Sequence, residues 1–161
     1  SAFELWGALL AAEARTLVAP LAGALLSRDA RIVFDHLCAQ FPTLDLPAYM
    51  AALAQRTTLL REWQRFFTRY DVLLGPVSCA GPFRVGEDLT ADAMAGILHA
   101  NRLVTACNVL GLPAVALPVG IADGLPQAVQ VIGGRHRDET CLDVAQLIEA
   151  AVPAIVPIDP R

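Results

Sequence analysis

Between Arg102 and Asp123 the chain runs for twenty residues, Leu103 to Ala122, without a single charge. That is the length of a membrane-spanning helix. Yet Asn108, Gly111, Pro113, Pro118 and Gly120 fall inside it, and a helix holding two prolines and two glycines would break repeatedly. The run divides better into the end of a helix, a stop at Gly111-Leu-Pro113, and a short strand at Ala114–Pro118. A second Gly-Leu-Pro at 124–126 introduces another uncharged run, Ala128–Ile132, after a turn beginning at Ala122-Asp123. Runs this apolar suit strands of a sheet covered on both faces.

The rest of the chain reads as helices around these strands. Residues 2–27 are rich in Ala and Leu, with a break expected at Pro20. A shorter helix follows to about Gln40, with Asp29 as its expected cap. Leu46, Tyr49, Met50, Leu53, Leu60, Trp63 and Phe67 recur at helical spacing, and Arg61, Arg65 and Arg69 form a basic ridge four residues apart. Asp71-Val-Leu-Leu-Gly-Pro76 reads as a further buried strand ended by Gly-Pro, and 76–88 as a long loop. Thr90 is placed to cap a helix running to about Val109. Asp138 is placed to cap an amphipathic helix to about Ala151, with Leu142, Ala145 and Ile148 on its inner side. Pro153, Pro157 and Pro160 end the chain in an extended tail. Three strands are too few for a doubly covered sheet, so this reading implies partner strands that the sequence does not contain.

Composition agrees with an incomplete core. Hydrophobic residues make up 55% of the 161 and charged ones only 17%, against somewhat under half and about a quarter in ordinary soluble domains. Mean hydropathy is +0.50. Such an excess calls for a membrane, a large interface, or a packing partner, and the broken twenty-residue run argues against the membrane. No basic segment followed by an apolar one opens the chain, so no signal peptide is expected. The net charge of −4 gives no electrostatic basis for nucleic-acid binding.

Intrinsic chemistry is hard to assemble from these residues. Cys38, Cys79, Cys107 and Cys141 form no C-x-x-C pair, and His36, His99 and His136 are scattered, so no metal or cofactor site is expected. Reduced, mostly buried thiols are the expected state. Ser78-Cys79 follows a strand end with His99 as a conceivable base, but no G-x-S-x-G elbow surrounds it. Glu87 and Asp88 lie in a polar loop where solvation explains them. The glycines at 111, 120, 124, 133 and 134 fit turns and close backbone approach, not a phosphate loop. All twelve basic residues are arginine, and the three serines (Ser1, Ser27, Ser78) are never adjacent.

Taken in order, Tyr70-Asp-Val-Leu-Leu-Gly-Pro76, Asn108-Val-Leu-Gly-Leu-Pro-Ala-Val-Ala-Leu-Pro-Val-Gly120, Gly124-Leu-Pro-Gln-Ala-Val-Gln-Val-Ile-Gly133, and Asp138 with the helix Leu142–Glu149 resemble the C-terminal region of the amidase signature family. The resemblance covers roughly residues 55–150; residues 1–54 share only helical character with it, and 151–161 is the Pro-rich tail. It implies an α/β fold in which this chain is a single partial domain, contributing a few strands of a mixed sheet covered by helices. It implies a cytoplasmic parent enzyme, free of metals and organic cofactors, that hydrolyses a carboxamide C–N bond or transfers the amide. The family's nucleophile and base are a Ser-Ser-Lys triad in a Gly/Ser-rich region. With no lysine and no serine pair, no catalytic role transfers to any residue here.

What the resemblance does transfer is a stretch facing the substrate: Asn101, Arg102 and Thr105, with the loop 77–86. Each has a structural explanation beside the substrate one, Arg102 pairing with a carboxylate and Asn108 satisfying backbone groups at the turn into the strand. The expected partners are a small-molecule amide in the parent enzyme and either the missing catalytic region or a second copy bound through exposed apolar surface. The competing reading is a non-catalytic amidase-like module that self-associates or binds a partner protein.

Overall fold

The computed structural model describes residues 1–153; the expected extended tail falls largely outside them. The described chain forms two compact units, one of Ser1–Arg61 with Ser78–Leu110, the other of Glu62–Val77 with the described residues from Gly111 on.

The first unit is helical. Helix α1 (Ala2–Glu13) opens with a capping box in which Ser1 and Glu4 satisfy each other's backbone donors. The break expected at Pro20 is spread over several residues: a π turn at Ala14–Val18, a 3-10 turn at Ala19–Leu21 and the short α2 (Ala22–Leu25). This stretch, Ala2–Leu25, is long and apolar enough to cross a membrane by length and composition, with 17% of its apolar window buried. The run Leu103–Ala122 instead splits between a helix and a strand. Helix α3 (Arg28–Ala39) is capped by Ser27, whose hydroxyl accepts from Ala30 N at 3.2 Å, so the cap lies two residues before the expected Asp29. At its other end Arg15, carried on the π turn, donates to the carbonyls of Cys38 (2.5 Å), Phe41 (2.9 Å) and Pro42 (3.0 Å). A guanidinium presents several donors in one plane, and here they gather the Cys38 carbonyl in the last turn of the helix with the Phe41 and Pro42 carbonyls just beyond it.

The core of this unit is Ala11, Phe41, Met94 and Leu98, with Phe3, Trp6, Val33 and Leu37 packed against it. Phe41 lies edge-on to Phe3 and Trp6, centroids 5.8 and 6.1 Å away. Its ring fills the space that a Cβ at Gly7 would need. Helix α4 (Leu46–Phe67) begins with Asp45 accepting from Ala48 N at 2.8 Å and has no buried residue. Of its expected apolar face, Leu46 is 72% exposed and Met50 is also open to solvent. The arginine ridge stops short: Arg69 lies past the last helical residue, its guanidinium 6.0 Å from the Tyr70 ring centroid.

The single helix expected after Thr90 is two helices, α5 (Ala91–Ala100) and α6 (Arg102–Leu110). Asn101 interrupts them at φ −91°, ψ 13°. Thr90 occupies the cap position without capping, because its hydroxyl donates to Glu87 O at 3.2 Å. At the end of α6, Arg56 Nε donates to the Val109 carbonyl. Asn108, expected to serve that turn, is exposed and its side chain makes no hydrogen bond among the described residues.

The second unit holds a three-stranded sheet ordered β1-β3-β2: β1 (Val72–Pro76), β2 (Ala114–Ala122) and β3 (Leu125–Gly133). Both pairings are antiparallel. The strands Ala114–Pro118 and Ala128–Ile132 extend toward each other and meet in a two-residue hairpin, Asp123 (φ 52°) and Gly124 (φ 76°). Positive φ at both positions matches the right-handed twist of the strands.

Helix α7 (Asp138–Ala151) covers one face, with Cys141 and Ala145 against Leu117 and Val131. Gly133 admits this packing, since a Cβ there would meet Cys141 Sγ at 2.6 Å. Leu142, expected inside, is 58% exposed and Cys141 takes its place. The helix starts at Asp138, and its phase turns 141, 145 and 148 to the sheet. Asp138 is the first helical residue, with Arg137 in the cap position and no side-chain cap. Only part of the sheet is covered on both faces: Gln130–Gly133 are buried throughout, while β2 alternates, with Ala114, Ala116 and Pro118 exposed.

Candidate functional site

The loop after β1 and helix α5 enclose the groove in which the expected substrate-facing stretch begins. Cys79 N donates to Ala100 O at 2.8 Å and ties the loop to the end of the helix. Further along, Glu87 Oε2 accepts from Arg84 N at 2.8 Å, and Gly86 at φ 83° reverses the chain. The groove measures about 460 Å³, and Ser78, Pro82, Phe83, Glu87, Ile97 and Asn101 are among the residues that line it. Gly96 also lines it, and nothing lies within 4 Å of where its Cβ would be. A side chain there would project into open space.

The three candidate residues separate. Asn101 lines the groove; its Nδ2 donates to Ile97 O at 2.8 Å, and its Oδ1 accepts no hydrogen bond among the described residues. Arg102 is exposed and donates to His99 O at 2.9 Å, where pairing with a carboxylate was the structural expectation. Thr105 is 4% exposed, and its hydroxyl donates to Arg102 O at 3.0 Å. Such back-bonding occupies a hydroxyl within its own helix. The groove thus joins Asn101 to the loop but does not include Arg102 or Thr105. Phe83 lies in the expected loop 77–86, whereas Ala93, Gly96 and Ile97 belong to no motif in the sequence, although a glycine inside a helical stretch is a usable signal of an open or closely approached face.

The other chemistry does not converge. Cys79 and His99 are both exposed, no hydrogen bond joins them among the described residues, and His99 stands edge-on to Phe3 at 6.0 Å. Burial pushes the Cys38 thiol above its ordinary value, with Arg15 opposing and Asp35 adding. Burial, then Asp138, does the same to Cys141. Both changes favour the unreactive neutral thiol. Among the described residues no group of three or more His, Cys, Asp or Glu could hold a metal ion. The groove offers an apolar lining with the hydroxyl of Ser78, the amide of Asn101 and the carboxylate of Glu87, which can orient a small ligand but do not form an activated nucleophile.

Comparison with known proteins gives this wall a context. The family model described as Amidase matches residues 34–142. The indoleacetamide hydrolase of Bradyrhizobium japonicum is 38% identical over 138 residues, which is 83% of this chain and 30% of that protein. A glutamyl-tRNA(Gln) amidotransferase subunit from Geobacillus stearothermophilus is 36% identical over 104 residues, 64% of this chain and 21% of that one. Among solved structures, an amidase superposes with a TM-score of 0.75 at 22% identity, covering 95% of this chain and 36% of its own. A 6-aminohexanoate cyclic dimer hydrolase gives 0.71 at 21%, covering 96% and 36%. The chain therefore spans less than a third of the length of these curated relatives. By sequence match and by fold, this chain belongs to the amidase signature family.

Proposed function

We propose that this chain is the C-terminal part of a cytoplasmic, cofactor-independent amidase-signature hydrolase that cleaves a carboxamide C–N bond. The observation that carries the reading is 38% identity to an indoleacetamide hydrolase across 83% of this chain, inside an amidase family match. That relative's name makes arylacetamides the first substrates to assay. In this reading the chain contributes sheet, core and one wall of the substrate pocket. Asn101 and the loop at 78–83 face the substrate, while Arg102 and Thr105 hold the turn between α5 and α6 that aims Asn101. Hydrolysis needs a nucleophile activated by a base. With no lysine and no adjacent serines in its 161 residues, the chain alone is inactive.

Purified residues 1–161, incubated with indole-3-acetamide and simple primary amides, are expected to release no ammonia above the buffer rate. Release beyond one equivalent per chain would overturn the assignment of catalysis to residues outside this chain.

The reading as a non-catalytic interaction module draws on one observation, the lack of any buried residue along α4. Its self-associating form requires a stable oligomer with a cooperative unfolding transition. A monomeric or polydisperse chain in sedimentation would remove that form and leave only binding to a partner protein.

A further inference from the structure

Within the helical unit, α1 and α4 face each other across a second groove that carries opposite charges on its two walls. Along α1, Trp6, Leu10 and Glu13 recur at the spacing of one helix face. Along α4, Tyr49, Leu53 and Arg56 do the same. All of these except Tyr49 line the groove, together with Asn108 at the end of α6, and it measures about 290 Å³. That is the lower end of the range for ligand pockets, roughly 300 Å³ and upward, so it has room for one small molecule.

The fold holds each charge in place and leaves part of it unused. Arg56 Nε donates to the Val109 carbonyl, which fixes the guanidinium, while its Nη groups make no hydrogen bond among the described residues. Free guanidinium donors of this kind form the fork that takes a carboxylate. Glu13 Oε1 accepts from the Tyr49 hydroxyl at 2.8 Å, and its Oε2 accepts no hydrogen bond among the described residues. The unbonded Asn108 amide adds a neutral donor and acceptor to the lining. Trp6 presents a fixed indole, since Phe41 stands edge-on to it at 6.1 Å.

No ion pair joins Glu13 to Arg56 among the described residues. Their spacing follows from the helix: Tyr49, bonded to Glu13, stands two turns, about 10 Å, before Arg56 on α4. A simple anion on Arg56 would share the groove with the like charge of Glu13, and a simple cation on Glu13 would share it with Arg56. A zwitterion answers both charges. Two charge-assisted bonds and the span from carboxylate to ammonium in an amino acid add to about 9 Å.

We propose that this groove binds a free α-amino acid with an apolar side chain, its carboxylate on Arg56 and Asn108, its ammonium on Glu13, and its side chain against Trp6, Leu10 and Leu53. The groove shares no lining residue with the one at Asn101. The inference therefore stands apart from the reading of this chain as part of an amidase.

L-Phenylalanine is the probe, titrated by calorimetry into the 161-residue chain at neutral pH. Phenylacetate and phenethylamine, titrated beside it, keep the ring and one charge each. Phenylalanine is expected to bind about tenfold tighter than either, the worth of one charged hydrogen bond. Glu13→Gln should weaken phenylalanine by about the same factor and should not weaken phenylacetate, because it removes only the partner of the ammonium. Asn108→Ala should weaken phenylalanine and phenylacetate alike. Both positions are exposed, and melting curves matching the parent chain verify that the variants fold. Equal affinity for phenylalanine and either analogue overturns the proposal. So does a Glu13→Gln chain that binds phenylalanine as the parent does, or an absence of heat from phenylalanine at millimolar concentration.

Discussion

The four cysteines show how much of a residue's chemistry depends on where the chain folds it. Cys79 is exposed, while Cys38, Cys107 and Cys141 are buried. A thiolate, not a thiol, reacts with alkylating agents, and burial holds Cys38 and Cys141 neutral. Iodoacetamide at neutral pH is expected to modify one thiol per native chain quickly, at Cys79, and the others only on unfolding. Two or more fast sites by mass spectrometry would contradict this pattern of burial. The same displacement has a pH consequence. In the unfolded chain these thiols ionise near 9.0, and in the fold only above it. The folded state then holds more protons between those values, so its stability falls as pH rises through that window. Urea midpoints are expected to show no contribution from these thiols below about 9 and a decline above it. A midpoint still rising through pH 10 would exclude this assignment.

At the scale of the element, the β2–β3 hairpin is the clearest link between sequence and shape. Asp123-Gly124 combines a residue tolerant of the left-handed region with one that adopts it freely. Gly124 at φ 76° has no atom within 4 Å of an added Cβ, so a substitution there meets backbone strain and no collision. Gly124→Ala is expected to cost about 1 kcal/mol. Gly120→Ala, equally open in space and without a positive φ, should stay within roughly 0.5 kcal/mol. Equal losses for the two, measured by urea denaturation, would show that this turn does not set the strand register. The helices show how context overrides local signals. Thr90 is a credible cap by residue type, yet its hydroxyl reaches back to Glu87 O. Asn101, placed within one expected helix, bonds Ile97 O through its side chain and divides it in two. Side-chain bonds of Ser, Thr and Asn to nearby backbone compete with the helix ladder, and which bond wins depends on neighbours that periodicity does not register.

For the whole molecule, the apolar excess in the composition appears as exposed side chains. Leu17, Leu21 and Leu25 lie four residues apart and open to solvent, as do Leu46 and Met50 on α4. Contiguous exposed apolar surface marks an interaction site. The folded 161-residue chain is expected to bind the dye ANS strongly while keeping helical far-UV circular dichroism. Absence of dye binding at an intact spectrum would mean that these side chains are covered in solution.

By itself the sequence determined the element types and the family. Charge-free runs introduced by Gly-Leu-Pro signalled strands, though not how far each would be buried, and the ordered phrases from Tyr70 to Glu149 matched one family, whose membership the comparisons established. It also showed that no lysine or serine pair is present, a matter of composition that folding cannot alter. Only the tertiary structure decided which face each element uses. It put Cys141 inside and Leu142 outside, and set Asn101 in a groove while Arg102 and Thr105 bonded within their own turn. It also paired the three strands antiparallel in the order β1-β3-β2. Periodicity gives the spacing of apolar residues. Helix phase, strand register and the partner met across the core come from contacts between residues far apart in the chain, and no local pattern encodes them.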